Sequence, residues 1–144
     1  MQRGPSERTT IRRAPQRGQY DREVIHAILD AGLVAHVGFV ADGAPLVIPM
    51  VYARMGESLV LHGARASRLQ KTLAGGVPVC VTVTLVDGIV LARSAFHHSM
   101  NYRSVVVMGE AHELTDEAEK HVAFRALIDH VVPGRNARIR PSDD

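Results

Sequence analysis

Tryptophan is absent from this chain, cysteine occurs once, and aromatic residues make up only 4% of it. Each scarcity excludes something. A single cysteine closes no intrachain disulfide, so a disulfide-built scaffold is excluded and a reducing, cytoplasmic compartment is expected. Cys80 lies in the apolar run Val77-Pro78-Val79-Cys80-Val81 with no charged neighbour in sequence. That setting reads as a core thiol rather than a nucleophile. With so few rings, the core has to be built from valine, leucine, isoleucine and alanine. No apolar run approaches the ~20 residues of a membrane-spanning helix, and no signal-peptide core is present. Charge of one sign is also lacking. A formal net charge of +2 makes no electrostatic case for nucleic acid. The phosphate-loop sequence, the dinucleotide-binding glycine fingerprint, the His-Glu-x-x-His pair and paired cysteines are all missing.

What is present bounds the fold. The chain has 144 residues, 46% of them apolar, enough for one domain with a core and too apolar for a disordered chain. Arg3, Arg8, Arg12, Arg13 and Arg17 crowd the N-terminus among Gly4, Pro5, Pro15 and Gly18. Residues 1–19 therefore read as a flexible basic arm, with residues 20–144 as a single domain. The arm is a solvated tail or a strap over a partner subunit. A nucleic-acid or membrane contact is disfavoured because no aromatic residues interleave with the arginines.

Local signals then place the elements. Asp21 caps a helix over residues 22–31, with Tyr20 able to staple onto Ile25 and Gly32 closing it. Strands follow at 33–40 and 45–53 around the turn Asp42-Gly43, and a third at 58–62. A short helix is expected at 68–74 with Leu69 and Leu73 inward. A second hairpin is expected at 77–85 and 89–95 around Asp87-Gly88, and a sixth strand at 104–114. Between them, 96–102 is a polar turn-like stretch. A last helix starts at Asp116, with Glu119 completing a capping box and Ala118, Val122, Leu127, Ile128 and Val131 facing inward. Six strands joined by tight turns favour an antiparallel barrel with flanking helices.

Three segments stand out chemically. The junction His62-Gly63-Ala64-Arg65-Ala66-Ser67-Arg68 ends a strand and opens a helix. It joins a glycine, a hydroxyl, positive charge and unpaired helix N–H groups, which suits a phosphate. The strand Val47-Ile48-Pro49-Met50-Val51-Tyr52 carries a proline that cannot donate to a ladder. That strand is an ordinary edge, or an interrupted strand whose free backbone groups meet a flat heteroaromatic ring. The stretch from Arg93 to Ser104 packs His97, His98, Asn101, Tyr102 and Arg103 between two strands. It is a self-bonded crossover or a binding loop. The eight histidines have no metal-ligand spacing, and no metal site is expected.

Taken together these strings resemble the FMN-binding split-barrel superfamily, the pyridoxamine 5′-phosphate oxidase-like proteins, and most of all its Nim-type nitroimidazole-resistance branch. The matching strings are His36-Val37-Gly38-Phe39, Asp42-Gly43, Val47-Ile48-Pro49-Met50 with Tyr52, and Leu61-His62-Gly63. Ser67-Arg68-Leu69, Asp87-Gly88 and the run from Val90 through Asn101-Tyr102-Arg103 to Gly109 complete them. The resemblance spans residues 20–140. It implies a six-stranded antiparallel split barrel of Greek-key type and a homodimer with FMN at the subunit interface. The flavin would lie along Ile48, Pro49, Met50 and Val51, with its phosphate at His62, Gly63, Ser67 and Arg68. Asn101, Tyr102 and Arg103 would approach it from the partner, and His98 and Tyr102 would donate protons at its edge. The implied activity is transfer of electrons from a reduced nicotinamide through FMN to a small-molecule substrate. The alternatives are a non-catalytic flavin- or haem-binding module and a deazaflavin-dependent reductase. One departure is expected. Relatives of this branch continue past Pro133-Gly134-Arg135 into a further strand, which the sequence here does not show, leaving a barrel edge open.

Overall fold

In the computed structural model, which describes residues 6–63 and 68–140, helix α1 spans Arg22–Ala31. The Asp21 carboxylate accepts from the backbone N–H of Glu23 at 2.8 Å and of Val24, so the expected cap forms. Strand β1 (Val34–Ala41) turns at Asp42-Gly43 into β2 (Ala44–Met55), which turns at Gly56 into β3 (Ser58–His62). Helix α2 (Arg68–Ala74), β4 (Gly75–Val90), β5 (Ser99–His112) and α3 (Glu117–Val131) follow. The strands form one sheet in the order β3-β2-β1-β4-β5, and every neighbouring pair is antiparallel.

Five strands are described, not the expected six, and β3 and β5 remain separate edges, so the sheet is not closed. The second expected hairpin is the reason. A two-residue turn of the primed kind needs a positive φ at its first residue. Asp42 and Gly43 have it, at 51° and 76°, whereas neither Asp87 nor Gly88 does. The chain runs straight through Asp87-Gly88 with only a register shift between Val86 and Gly88, a bulge that keeps β4 as one strand of sixteen residues. Arg103, across the pair on β5, holds the Asp87 carboxylate through Nε and Nη2, the shortest contact being 2.8 Å. The reversal falls instead after Val90, and β5 begins at Ser99 rather than 104.

The core lies on one face of the sheet. Alternation sends Ala35, Val37, Phe39 and Ala41 of β1 inward, with Met50 and Tyr52 of β2 and Val81 and Val83 of β4. Ile28 and Leu29 of α1 and Leu73 of α2 cover them. The outer face carries Val34, His36 and Val40 of β1, all exposed, and Cys80 sits there half-buried rather than in the core. Helix α3 packs against β2 and β3. It buries Ala123 and Leu127, while Ala118, Val122 and Val131 are exposed, so its inward stripe differs from the expected one. Apolar residues lie all round α3, and the side turned to the sheet is the one that carries Ala123 and Leu127. Residues 6–19 of the expected arm fold onto Tyr20, the first residue of the expected domain: its hydroxyl accepts from Ile11 N–H at 2.7 Å and donates to the Thr9 carbonyl.

One ion pair ties α1 to β2. Arg54 donates from Nε and Nη2 to the two Asp30 oxygens at 2.8 and 2.7 Å and from Nη1 to the Gly56 carbonyl. The Arg54 hydrogen bonds hold the Asp30 carboxyl below the usual carboxylate range, against the opposing effect of partial burial. A lowered carboxylate stabilises the fold above its unfolded pKa near ~3.9 and loses that contribution as pH falls through the folded value. Asp30 is half exposed, so solvent screening limits the effect to about 1 kcal/mol. Asp30→Asn is therefore expected to lower the urea midpoint at pH 7 and to leave it unchanged near pH 2. An equal loss at both values would show that the ionised pair is not the source.

Candidate functional site

Strand β3 pairs with β2 only from Val51↔His62 to Met55↔Ser58. On that side residues 44–50 of β2 have no strand partner among the described residues. The turn closed by Ala41↔Ala44 fixes which backbone groups face outward. Residues exchanging hydrogen bonds alternate along an antiparallel pair, so 44, 46, 48 and 50 bond to β1 while 45, 47 and 49 face the open edge. Pro45 and Pro49 both fall at outward positions, where a missing N–H costs nothing. The edge thus offers three carbonyls and one donor, the N–H of Val47. Val47 was missed as a site residue in sequence, although the Pro-x-x-x-Pro spacing marks it.

Of the four expected β2 contacts, Ile48 and Met50 turn their side chains into the core and their backbone to β1, while Pro49 and Val51 present their side chains to the outer face. His62 sits directly across from Val51, exposed, with its ring edge-on to Phe124 at 5.5 Å. The Gly63 carbonyl accepts from Gln70 Nε2 at 3.2 Å, and a Cβ on Gly63 would lie 3.3 Å from Met50 Cε. Pro49, Met50, Val51, His62 and Gly63 therefore come together beside the start of α2. Ser67 and the side chain of Arg68 lie outside the described residues.

The second expected group is elsewhere. Asn101, Tyr102 and Arg103 lie on β5, three strands from β2 in the sheet order, so one chain does not bring the two groups together. Alternation also sends Tyr102 to the face opposite Asn101 and Arg103. The Tyr102 side chain is well exposed. Arg103 is engaged with Asp87 through Nε and Nη2. That hydrogen bonding pulls the Asp87 carboxyl below its ordinary range and pushes the Arg103 guanidinium up. A guanidinium has five N–H groups, so its Nη1–Nη2 edge stays open for a second acceptor. His98 stands in the turn before β5. Its Nδ1 lies 3.2 Å from the carbonyls of both Ser94 and Ala95. Among the described residues no group of three or more His, Cys, Asp or Glu is placed to hold a bare metal ion. No helix of the described residues is long and apolar enough to cross a membrane.

Comparison with known proteins identifies the family and the fold. The family model described as pyridoxamine 5′-phosphate oxidase matches residues 21–144. No curated protein matches the chain by sequence. Among solved structures, the flavocytochrome Anf3 from Azotobacter vinelandii is 42% identical, with a TM-score of 0.86 over 96% of this chain and 64% of that one. A FAD- and haem-binding protein from Mycobacterium smegmatis is 39% identical, with a TM-score of 0.79 over 85% of this chain and 60% of that one. The chain thus spans somewhat under two thirds of each of these relatives. A protein of Bacteroides thetaiotaomicron VPI-5482, described as a candidate 5-nitroimidazole antibiotic resistance protein, shares the fold. It has a TM-score of 0.68 at 24% identity, over 86% of this chain and 71% of that one.

Proposed function

This chain belongs to the pyridoxamine 5′-phosphate oxidase family, and from that membership we propose that it is a flavin-binding redox protein working as a homodimer. The observation that carries the reading is the open edge of β2, where the Val47 N–H stands between outward carbonyls beside His62 and Gly63. A flavin ring carries a matching imide edge of carbonyls and one N–H. FMN is the proposed cofactor, its ring along the Val47–Pro49 edge and its phosphate at His62, Ser67 and Arg68. When bound, the flavin would accept two electrons and a proton as hydride from a reduced nicotinamide and return them to a small-molecule substrate. The chain's own residues bind and orient it. Tyr102 makes no hydrogen bond among the described residues and keeps a hydroxyl free to deliver a proton. Because Asn101, Tyr102 and Arg103 lie far from β2 in their own chain, the partner's copy supplies these residues to the site.

Titration of the purified protein with riboflavin, FMN and FAD, followed by flavin fluorescence, tests the cofactor. FMN is expected to bind at least tenfold more tightly than riboflavin, and sedimentation to give a dimer. No binding of any flavin would sink the reading. Val47→Pro tests the edge. It places a third proline at an outward position that already tolerates two, so the melting temperature should hold. Loss of one neutral hydrogen bond should weaken FMN by about three- to tenfold, the equivalent of roughly 0.5–1.5 kcal/mol. Unchanged affinity would move the ring off this edge.

A second reading is favoured by the two relatives at 42% and 39% identity, one a flavocytochrome and the other a FAD- and haem-binding protein. On that reading the chain carries electrons between a flavin and a haem rather than reducing a small substrate.

A further inference from the structure

The turn between β4 and β5 is built unlike an ordinary surface loop. Its large apolar side chains point into solvent: Phe96 is 92% exposed, Leu91 79% and Ile89 71%, with Met100 across from Ile89. From Gly88 to Gly109 there is no aspartate or glutamate, while Arg93 and Arg103 are both present. Within this apolar and cationic loop stands His98. A carbonyl oxygen only accepts, so the two carbonyls at 3.2 Å from His98 Nδ1 place the ring proton there. In the neutral imidazole the lone pair is then on Nε2, which has no partner among the described residues. A backbone carbonyl fixing one nitrogen while the other stays free is the arrangement that orients a histidine toward a metal. Among the other described histidines only His130 has a ring nitrogen on a backbone carbonyl, and its ring is half-buried against Tyr52 rather than exposed on the loop. His26 and His112 turn Nε2 to glutamates, His130 turns Nε2 to the Gly32 carbonyl, and the rings of His62 and His97 lie against phenylalanines. His36 and His121 have no carbonyl fixing the ring.

A haem needs a ring-nitrogen ligand for its iron, apolar surface for its porphyrin and cations for its propionates. The loop has all three: the His98 ring, the exposed Leu91 and Phe96, and Arg93, whose guanidinium has the fork geometry for a carboxylate. We propose that this loop is one wall of a haem site. His98 Nε2 would ligate the iron, Leu91, Phe96 and Met100 would pack on the porphyrin, and Arg93 would pair with a propionate. The inference rests on the flavin-and-haem reading above.

Haemin titration of the full chain, followed in the Soret band, tests it, with flavin titrated separately on the same preparation. Saturable binding is expected. His98→Ala should weaken it at least tenfold and shift the Soret maximum, with added imidazole restoring the band. His97→Ala should bind within twofold of the parent. Phe96→Ser removes a side chain whose one ring contact is with the neighbouring loop residue His97, outside the core, so it should weaken haem about threefold or more while leaving the melting temperature unchanged. Parental affinity and band shape in His98→Ala, or equal loss in His97→Ala, overturns the assignment. Phe96→Ser that dissociates an oligomer with haem binding intact also overturns it, because the loop would then serve a second copy of the chain. Flavin binding without haem binding overturns this inference alone. Haem binding without flavin overturns the flavin reading and leaves the loop assignment standing.

Discussion

Tyr52→Ala is expected to cost about 3–5 kcal/mol of folding stability, on the scale of other buried aromatics cut back to alanine. The ring is fully buried, at 0% exposure, in the middle of the β2 face that packs under α1. It also lies against the His130 ring of α3, with centroids 5.1 Å apart. No neighbouring chain segment can fill the space without moving a helix. The hydroxyl adds a second contribution, since it donates to the Leu29 carbonyl near the end of α1. Burial and the negative charge of Asp30 push its pKa up to about 12, so it stays a donor well above neutral pH. Tyr52→Phe keeps the ring and deletes only that donor. It should cost about 1–3 kcal/mol, the range for leaving a buried carbonyl unpaired. Urea denaturation of both variants separates the two contributions. If alanine costs no more than phenylalanine, the ring does not hold the helices and only the hydrogen bond does.

The elements that were legible in sequence are those whose determinants are local. Helix α1 starts where Asp21 says it should, because the cap bonds reach only two and three residues ahead. Residues 58–62 and 68–74 were placed correctly for the same reason, bounded by Gly56, Gly75 and Gly76. Asp42-Gly43 and Asp87-Gly88 show where local reading stops. The dipeptides are identical, yet one turns and the other runs on. What separates them is the partner strand: β5 pairs with β4 on both sides of Asp87, and Arg103, sixteen residues further along, holds the Asp87 carboxylate from across the ladder. No window around Asp87 contains that partner.

The candidate site divides in the same way. Pro49 announced an open strand edge, because a missing N–H is a property of the residue itself. Which of its neighbours face that edge depended on the register with β1, so Val47 went unseen while Ile48 and Met50 were counted. That His62 would lie across from Val51 follows from the tight β2–β3 turn. That Asn101, Tyr102 and Arg103 would lie at the opposite side of the sheet follows from strand order, and β1 and β4 are adjacent only by tertiary pairing. The orientation of the His98 ring was equally invisible. It depends on a single turn of 3₁₀ helix at Ala95–His97 that brings two carbonyls under Nδ1.

Gly32 gives the other large effect, and for a reason its position at a helix end conceals. A glycine after a helix is ordinarily kept for a left-handed conformation. Here φ is −80° and ψ 148°, extended backbone open to any residue. What the site lacks is room. A Cβ would fall on Val83 Cγ1 and 2.8 Å from the Tyr52 hydroxyl oxygen. The backbone cannot yield easily, because Gly32 N–H is bonded to the Ile28 carbonyl and its own carbonyl accepts from His130 Nε2 at 2.6 Å. Two opposite effects compete in Gly32→Ala. The unfolded chain loses freedom, worth about 0.4–1 kcal/mol in favour of folding, whereas overpacking a tight core costs about 1–3 kcal/mol. The contact is with a core valine and a bonded hydroxyl rather than the loose end of a side chain, so overpacking wins and the variant should be destabilised. Trimming the obstacle makes the test specific. Gly32→Ala combined with Val83→Ala should recover part of the loss, with a coupling of at least about 0.5 kcal/mol between the two positions. A stabilised Gly32→Ala, or strict additivity in the pair, would mean that α1 can lift off the sheet here and that the Tyr52–His130 clamp does not fix its end.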